Sequence, residues 1–179
     1  MRVFWLNGYS ATSMADLVEA TGSTRQSIYG DFGSKHGLYV ACFDTYREAV
    51  VAPALDPFCK AQHRVAAIAD YFDIQIAHAE RIGLPGPGCL VGNATTELAA
   101  HDPAIGALVQ QHHRRLEDAF ASALPASLST TRRCKLARFL VLAAQGLWAV
   151  SRVTASAEQL RAQAATIISM LKKEIENDA

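Results

Sequence analysis

The sequence has few cysteines and no long apolar run, and each shortage excludes a class of protein. The longest apolar stretch, within residues 139–150, carries Gln145 and is too short to span a bilayer, and no signal peptide is recognisable. The cysteines are widely spaced and form no C-x-x-C pair, which argues against a disulfide framework. We therefore expect a cytoplasmic protein with no membrane contact and four reduced thiols, at Cys42, Cys59, Cys89 and Cys134.

An excess of charge is also missing. Seventeen Lys and Arg residues balance 17 Asp and Glu residues, and residues 1–47 carry four of each sign. A nucleic-acid-binding protein of this composition would depend on geometry and dimerisation, with few phosphate contacts per subunit. At 179 residues, half of them hydrophobic, the chain is long enough for a buried core in one or two domains.

Patterns that carry catalysis or metal binding are absent. The sequence has no G-x-S-x-G and no phosphate-cradling glycine loop, and the glycine-rich run at residues 86–89 lacks a recognisable base or oxyanion partner. His112 and His113 are adjacent and cannot share one helical face, and no His or Cys pair at i, i+4 has a plausible third ligand. We expect no enzymatic activity, no metal and no cofactor.

The most informative stretch begins at Gly8 and ends at Lys35. Ser13, followed three residues later by Asp16, is a helix-start signal, and Met14, Leu17 and Val18 give that helix an apolar face. Gly22 ends it where a left-handed backbone is needed.

Thr24 can cap a second helix after this turn. Its Ile28 and Phe32, four residues apart, are expected to point inward, while the polar positions face outward. Two capped helices around a glycine turn indicate a helix-turn-helix, with a recognition helix that exposes Arg25, Gln26, Ser27 and Tyr29.

These residues resemble the DNA-binding domain of TetR-type transcriptional regulators over about residues 8–46. The resemblance rests on Thr12-Ser13-Met14, Gly22, Thr24-Arg25, Ile28-Tyr29, Phe32 and Ser34-Lys35. It implies that Thr12, Tyr29 and Lys35 hold DNA phosphates and that Arg25 and Gln26 face base edges. The full implied DNA-binding set is Thr12, Ser23, Thr24, Arg25, Gln26, Ser27, Tyr29 and Lys35.

The sequence departs from the family pattern at several positions. Ser23 replaces an apolar residue, Gln26 a small one, and Gly30 and Asp31 bulkier or more basic ones; Asp31 would be repelled by phosphate. Residues 1–8 look like the last turns of a first helix that is longer in the family, through a mis-assigned start, a cloning boundary or true loss. Such shortening would remove packing support and a phosphate contact from the helix-turn-helix.

The rest of the chain predicts further helices and no strands, so the fold class is all-α. One helix runs from Ser34 until Pro53 and Pro57 break it, and a loop at residues 84–88 separates later helices. Asp102 and Pro103 form an N-cap and N1 pair. We divide the chain into a DNA-binding domain, residues 1–47, and an effector-binding and dimerisation domain, residues 48–179. Its helices are expected within residues 60–82, 89–100, 104–124, 131–152 and 157–176.

The last two helices are too apolar for one subunit to cover. Residues 131–152 are apolar nearly all round, and residues 157–176 carry a broad apolar stripe. We expect a homodimer in which both helices meet their copies in a four-helix bundle, as the final two helices do in TetR-type proteins. The predicted interface is Leu136, Phe139, Leu140, Ala143, Leu147, Leu160, Ala164, Ile167, Ile168 and Leu171.

By the same resemblance, the larger domain is expected to hold a pocket for a small organic effector. For His112 a core role is an open alternative, as it is for Phe120 and Trp148. Gly88-Cys89-Leu90 resembles a segment of some TetR-type regulators that sense electrophiles through cysteine. A helix N-terminus would lower the pKa of the Cys89 thiol and make it more reactive. The alternative is that Cys89 is a buried structural cysteine. The candidate lining residues are Phe72, Gln75, Cys89, Asn93, His112, Phe120 and Trp148.

The sequence thus predicts a regulator of transcription, a repressor that binds an inverted-repeat operator in double-stranded DNA and is relieved by its effector. The alternative is a helical ligand-binding dimer that has lost DNA binding through its short N-terminus.

Overall fold

The computed structural model describes residues 1–60 and 64–177, in which helices are the only regular elements. An N-terminal group comprises α1 (Arg2–Asn7), α2 (Met14–Thr21), α3 (Arg25–Phe32) and α4 (Lys35–Tyr46). A π-helical turn (Arg47–Val51) leads into the remaining helices: α5 (Ala52–Lys60), α6 (Ala66–Ile82), α7 (Leu90–Glu97), α8 (Pro103–Ala123), α9 (Thr130–Val150) and α10 (Ala157–Glu176). The all-α fold is as expected. The expected start of α6 near residue 60 falls partly outside the described residues.

The short α1 is an integral part of the N-terminal core. Phe4 and Trp5 are buried, and the Phe4 ring packs edge-on against Tyr39 of α4 at a centroid distance of 5.0 Å. Trp5 meets Tyr46 in the same edge-on manner at 5.1 Å. Six residues of helix therefore supply the aromatic packing that the sequence analysis expected to be weakened.

The expectation that Pro53 and Pro57 break the helix after residue 34 is wrong. The chain stays helical from Lys35 to Lys60, and both prolines lie inside α5. The π-helical turn ends two residues before Pro53, and at its end the Ala52 N–H donates to the Arg47 carbonyl, a five-residue spacing. Because such a turn widens the helix, it relieves the clash of a proline ring with the preceding turn. The helix runs without interruption through residue 47, where we placed the domain boundary.

Phe32 is also misassigned in the sequence analysis. Its side chain is 39% exposed, whereas Ile28, one turn earlier, is buried. Phe32 is the last residue of α3, and the chain turns away at Gly33 with a φ of 72°. One apolar residue is thus enough to anchor this eight-residue helix, and the side chain at its end projects beyond the core.

The larger group of helices is built around α9. This helix packs chiefly on α8, while α10 packs on α6 and more lightly on α9. Seven side chains of α9 are buried, among them Leu140, Leu147 and Trp148. Among the described residues, no helix combines the length and apolar character needed to cross a membrane.

Candidate nucleic-acid interface and interior cavity

Local hydrogen bonds fix the ends of α2 and α3. Ser13 and Asp16 form a complete capping box, in which the Ser13 N–H donates to the Asp16 carboxylate at 2.7 Å and the Asp16 N–H donates to the Ser13 hydroxyl at 3.2 Å. Gly22 ends α2 in the left-handed region with a φ of 67°. The Thr24 hydroxyl accepts from the Ser27 N–H at 3.1 Å and starts α3. The expected caps are confirmed.

The outer face of α3 carries an exposed row of polar side chains. Thr24, Arg25, Gln26 and Ser27 are all exposed, and Tyr29 is 41% exposed. The Arg25 guanidinium lies 5.7 Å from the centroid of the Tyr29 ring, so the two side chains form a cation–π contact. Arg and Gln are the side chains that hydrogen-bond guanine and adenine edges in the major groove. This row therefore has the chemistry and the access that base reading requires.

Thr12 and Lys35 have other partners in the free protein. Thr12 is fully buried, and its hydroxyl donates to the Gly8 carbonyl at 2.6 Å. The Lys35 ammonium donates to the carbonyls of Tyr9 and Thr12 at 2.8 and 2.7 Å and lies 4.3 Å from the centroid of the Tyr9 ring. The Thr12 bond lies within the loop between α1 and α2, and the Lys35 bonds hold that loop against α4. Their phosphate contacts stay a prediction, and Ser23, which is half-buried in the turn, has the same standing.

Gly37 positions α3 in a way that the sequence analysis missed. A Cβ atom at this position would lie 2.0 Å from the Phe32 carbonyl oxygen, far inside van der Waals contact. The obstacle is backbone rather than a flexible side-chain tip, so α3 and α4 can meet at this angle only with glycine at position 37. A glycine in the first turn of a helix is the one sequence signal for it.

The carboxylate of Glu97 clasps the N-terminal group from the end of α7. It accepts from the backbone N–H groups of Tyr9 at 2.9 Å and Ser10 at 2.7 Å. Partial burial raises the pKa of Glu97, but donation from these N–H groups and the nearby Lys35 charge bring the pKa below its ordinary value. Glu97 is therefore ionised at neutral pH and ties the loop before α2 to the larger group of helices.

Two further contacts cross the same boundary. His36, in the first turn of α4, lies 2.6 Å from the carboxylate of Asp102, the N-cap of α8. The indole N–H of Trp5 donates to the Gly88 carbonyl at 2.9 Å. Hydrogen bonds with the Ile105 N–H and with His36 lower the pKa of Asp102, so this carboxylate is also charged at neutral pH. The position of the helix-turn-helix thus depends on α7, α8 and the loop before α7.

A small cavity, the inner niche, lies behind this boundary and has a volume of about 30 Å³. Trp5 is part of its wall, so a side chain of α1 borders the interior of the larger group of helices. Among the described residues, none that line it carries a formal charge at neutral pH. The wall residues that matter here are Trp5, Gln75, His78, His112, Gln145 and Trp148.

Several polar atoms in the inner niche lack a protein partner. The Nε2 atoms of His112 and His78 are buried without a hydrogen bond. The Gln145 amide nitrogen is also buried without a partner, and the Gln145 side chain interacts with the Cys89 sulfur, which is a weak acceptor. Burial lowers the pKa of His112 to about 4, so its imidazole is neutral and can both donate and accept. Unpaired buried polar atoms are uncommon in native proteins, and each requires an explanation.

A larger cavity, the outer chamber, adjoins the inner niche and has a volume of about 570 Å³. Cys89, Gln145 and Trp148 line both spaces. The walls of the chamber are mainly apolar, and its charged residues are partnered: Arg138 pairs with Glu117 at 3.5 Å. The remaining charge is on Arg152, whose guanidinium donates to the Asn93 side-chain oxygen at 2.6 Å.

The expected effector-binding residues divide into two groups. Gln75, Cys89, His112 and Trp148 line the inner niche, and Asn93 lines the outer chamber. Phe72 and Phe120 border neither space and are corrected to core residues: both are at most 1% exposed within an aromatic cluster around Tyr71. Sequence periodicity could not separate core aromatics from cavity aromatics, because both lie on the same helix face. It missed Trp5 and Gln145 as lining residues.

Cys89 is the N-cap of α7, but its surroundings contradict a lowered thiol pKa. The Gly92 N–H donates to its sulfur at 3.4 Å. Burial nevertheless raises the pKa of the Cys89 thiol, and it outweighs the hydrogen bonds from Gly92 and Tyr46 that favour the thiolate. The side chain is 6% exposed. The expected activation by the helix N-terminus is therefore wrong for this conformation.

The outward face of α9 and α10 differs from the predicted interface. Most of the predicted residues are already covered within the subunit, and a side chain without exposed surface has none to lose on dimerisation. The corrected core residues are Leu136, Leu140, Leu147, Leu160, Ala164, Ile168 and Leu171. Phe139, from the predicted set, is 40% exposed, and the other exposed apolar side chains nearby are Leu142, Val150, Val153 and Met170. Ala143 and Ile167 are intermediate.

Comparison with known proteins identifies the helix-turn-helix. The family profile for bacterial regulatory proteins of the tetR family matches residues 1–42. The chain is 32% identical over 180 residues to the HTH-type transcriptional repressor ComR of Escherichia coli (strain K12), covering 95% of this chain and 84% of that protein. It is 28% identical over 178 residues to the HTH-type transcriptional regulator YezE of Bacillus subtilis (strain 168), covering 96% of this chain and 91% of that one.

Solved structures share the fold. A TetR transcriptional regulator from Legionella pneumophila superposes with a TM-score of 0.80 at 17% identity, over 94% of this chain and 91% of that one. A cysteine mutant of the TetR family regulator CifR, complexed with 26 bp of double-strand operator DNA, gives 0.77 at 24% identity, over 93% and 90%. The capped helices, the exposed row on α3 and the relatives agree: this chain belongs to the TetR family of DNA-binding transcriptional regulators.

Proposed function

We propose that the protein is a homodimeric cytoplasmic repressor. It binds an inverted-repeat operator in double-stranded DNA and dissociates from the operator when a small organic molecule binds to the protein. The observation that carries DNA reading is the exposed row on α3, with Arg25 and Gln26 at its start. Two such helices, related by a two-fold axis, would enter major grooves about 34–36 Å apart. The similarity to the transcriptional repressor ComR supports repression rather than activation.

The apolar outward face of α9 and α10 supports the dimer. Leu142 is 73% exposed and Met170 54% exposed, and Phe139 and Val150 continue the stripe along α9. Large apolar side chains gathered on one face indicate a surface that another protein covers. Gly146, whose Cβ position is open within the subunit, would let two copies of α9 approach closely. A second copy of this chain is the occupant because the stripe lies on the last two helices, which pair in this family.

The contacts of Glu97, Asp102 and Gly88 support effector control. They join the loop before α2, the start of α4 and the side chain of Trp5 to the elements around the cavities. A molecule that binds one arrangement of these elements better than the other shifts their populations and therefore the affinity for DNA. The effector thus acts by changing the spacing of two recognition helices.

Binding to the promoter of the protein's own gene tests this proposal. We expect a dimer that retards this fragment with salt-sensitive, sequence-dependent affinity, and an inverted repeat within the protected region. A monomer in sedimentation, or equal affinity for promoter and scrambled DNA at modest ionic strength, would contradict it. That second outcome would favour a ligand-binding dimer without DNA binding.

A further inference from the structure

We propose that the effector is an uncharged molecule whose hydrogen-bonding head, a hydroxyl or an amide, reaches Gln145 and His112 while its apolar body fills the outer chamber. This inference rests on the proposed effector control and specifies its chemistry. It starts from the two cavities, which share a wall at Gln145, Trp148 and Cys89.

The polar atoms of the inner niche define the head group. The Gln145 amide nitrogen can donate, and Nε2 of the neutral His112 can donate or accept according to its tautomer. Both atoms are buried without an oxygen or nitrogen partner, and His112 is only 8% exposed. A hydroxyl or amide head offers a donor and an acceptor together, so it can pair with both side chains.

The absence of charge in the niche excludes ionic heads. Within the part of the chain that the structure describes, no Asp, Glu, Lys or Arg lines this space. A carboxylate or an ammonium group there would be desolvated without a counter-charge, which is far less favourable than burying a neutral polar group. In the outer chamber, Arg138 faces Glu117 and the Arg152 guanidinium donates to Asn93, and neither arginine lines the niche.

The sizes of the two cavities indicate which part of the ligand each cavity binds. The inner niche, at about 30 Å³, holds a head group or a water molecule, whereas the chamber, at about 570 Å³, can hold the body of a small molecule. Gly92 lines the outer chamber beside Gln145, which borders both spaces, and a Cβ atom at position 92 would lie 2.6 Å from the Gln145 side-chain oxygen. Only glycine at position 92 leaves the Gln145 amide where it stands.

Intrinsic fluorescence can test this directly. The chain has two tryptophans, and both Trp5 and Trp148 line the inner niche. Purified full-length protein is titrated with benzyl alcohol, benzamide, benzoate and benzylamine, which share a ring and differ in the head. We expect saturable fluorescence changes with the alcohol and the amide, and at least about tenfold weaker binding of both ionic probes.

Variants sharpen the result. Gln145→Leu and His112→Phe should each weaken benzamide binding about tenfold, and Gly92→Ala should weaken it while keeping the amide. The matched control is Gln163→Leu: Gln163 also has an unpartnered buried amide atom but lies on α10 and lines neither cavity. Equal binding of ionic and neutral probes, unchanged affinity in Gln145→Leu, or no saturable change with any probe would each overturn the inference.

A parallel measurement of promoter binding separates this inference from the proposed function. Release of DNA by a charged effector, with no response to the neutral probes, would overturn the inference and leave the repressor proposal standing. Probe selectivity as expected, with DNA affinity unchanged by any ligand that saturates the niche, would support the ligand chemistry assigned to the two cavities and contradict effector control.

Discussion

Helices α3 and α9 both carry polar side chains that matter, but they hold them in opposite surroundings. On α3 the side chains of Arg25, Gln26 and Ser27 are exposed, so water satisfies them in the free protein. On α9 the Gln145 amide nitrogen is buried beside a sulfur atom, and His112 of α8 faces the same space without a partner. Polar groups that hydrogen-bond to water do not reduce the free energy of unfolding, whereas unpaired buried polar groups do reduce it.

Because of this difference, a separate measurement reports on each region. Changes to the exposed row should alter DNA affinity and leave stability nearly constant. Changes to the niche should alter stability and ligand response and leave DNA affinity nearly constant. Gly37 is the exception, because its geometry demands that stability and DNA affinity change together.

The largest effect is expected for Gly37→Ala. Its Cβ would lie 2.0 Å from the Phe32 carbonyl oxygen, so the turn between α3 and α4 must open. We expect a loss of about 3 kcal/mol in the free energy of unfolding and loss of promoter binding, measured by denaturant titration and gel retardation. The control is Gly30→Ala inside α3, where no atom is within 4 Å of the new Cβ and stability should rise by up to about 1 kcal/mol. Equal stability of the two variants would contradict the packing of α3 on α4.

Acid should destabilise the protein before its carboxylates titrate. Burial lowers the pKa of His112 from 6.5 to about 4, so the folded state binds fewer protons than the unfolded state in this range. The stabilisation is fully present above pH 6.5 and is lost as the pH falls towards 4, by up to about 3 kcal/mol for a shift of this size.

The measurement is the free energy of unfolding at pH 7, 6 and 5, in the wild type and in His112→Phe. We expect a shallower slope in the variant. Some slope should remain, because burial lowers the pKa of His78 and His113 in the same direction. If the free energy of unfolding has the same pH dependence in both proteins, the titration of His112 does not cause the loss of stability.

Arg25→Ala tests the exposed row. We expect promoter affinity to fall by about 1–3 kcal/mol, or roughly 5- to 150-fold, because a bidentate base contact is lost. The unfolding midpoint should stay within about 1 °C, since the side chain is exposed. Arg114→Ala removes an exposed arginine from α8 and is the matched control. Similar affinity in both variants would move DNA reading away from α3.

The smallest effect is expected when a glutamine is replaced by leucine, once in the inner niche and once on the exposed face of α3. Gln145→Leu should raise the free energy of unfolding by about 1 kcal/mol, because it removes an unpaired buried donor, and should leave promoter affinity unchanged. Gln26→Leu should change stability by less than about 0.5 kcal/mol and reduce promoter affinity. Thermal unfolding and gel retardation measure both properties. The reverse pattern would refute the separation of the two regions.

Local signals predicted most of the helix-turn-helix. Ser13 with Asp16, Gly22 and Thr24 specify their caps through bonds within a few residues, so the sequence alone is sufficient. The same is true of Asp102 with Pro103 and of the bounds of α10, because caps and apolar spacing are local.

Other features depend on atoms distant in sequence and could not be predicted. Burial of the Thr12 hydroxyl and the Lys35 contacts depends on how the loop before α2 folds back on α4. Trp5 lines the inner niche and donates to the Gly88 carbonyl, which is 83 residues away along the chain. The face of α9 that is left exposed depends on how α8 and α10 pack around it, which an apolar pattern nearly all round the helix does not encode.

Hydroxyl-radical footprinting of the promoter of its own gene tests the central claim most directly. Two copies of α3 held by a two-fold dimer predict two protected patches on one face of the duplex, about 34–36 Å apart and related by an inverted repeat. Both should fade together with Arg25→Ala at the protein concentration that just saturates the wild-type site. A single patch, or two patches of undiminished strength in Arg25→Ala at that concentration, would contradict it.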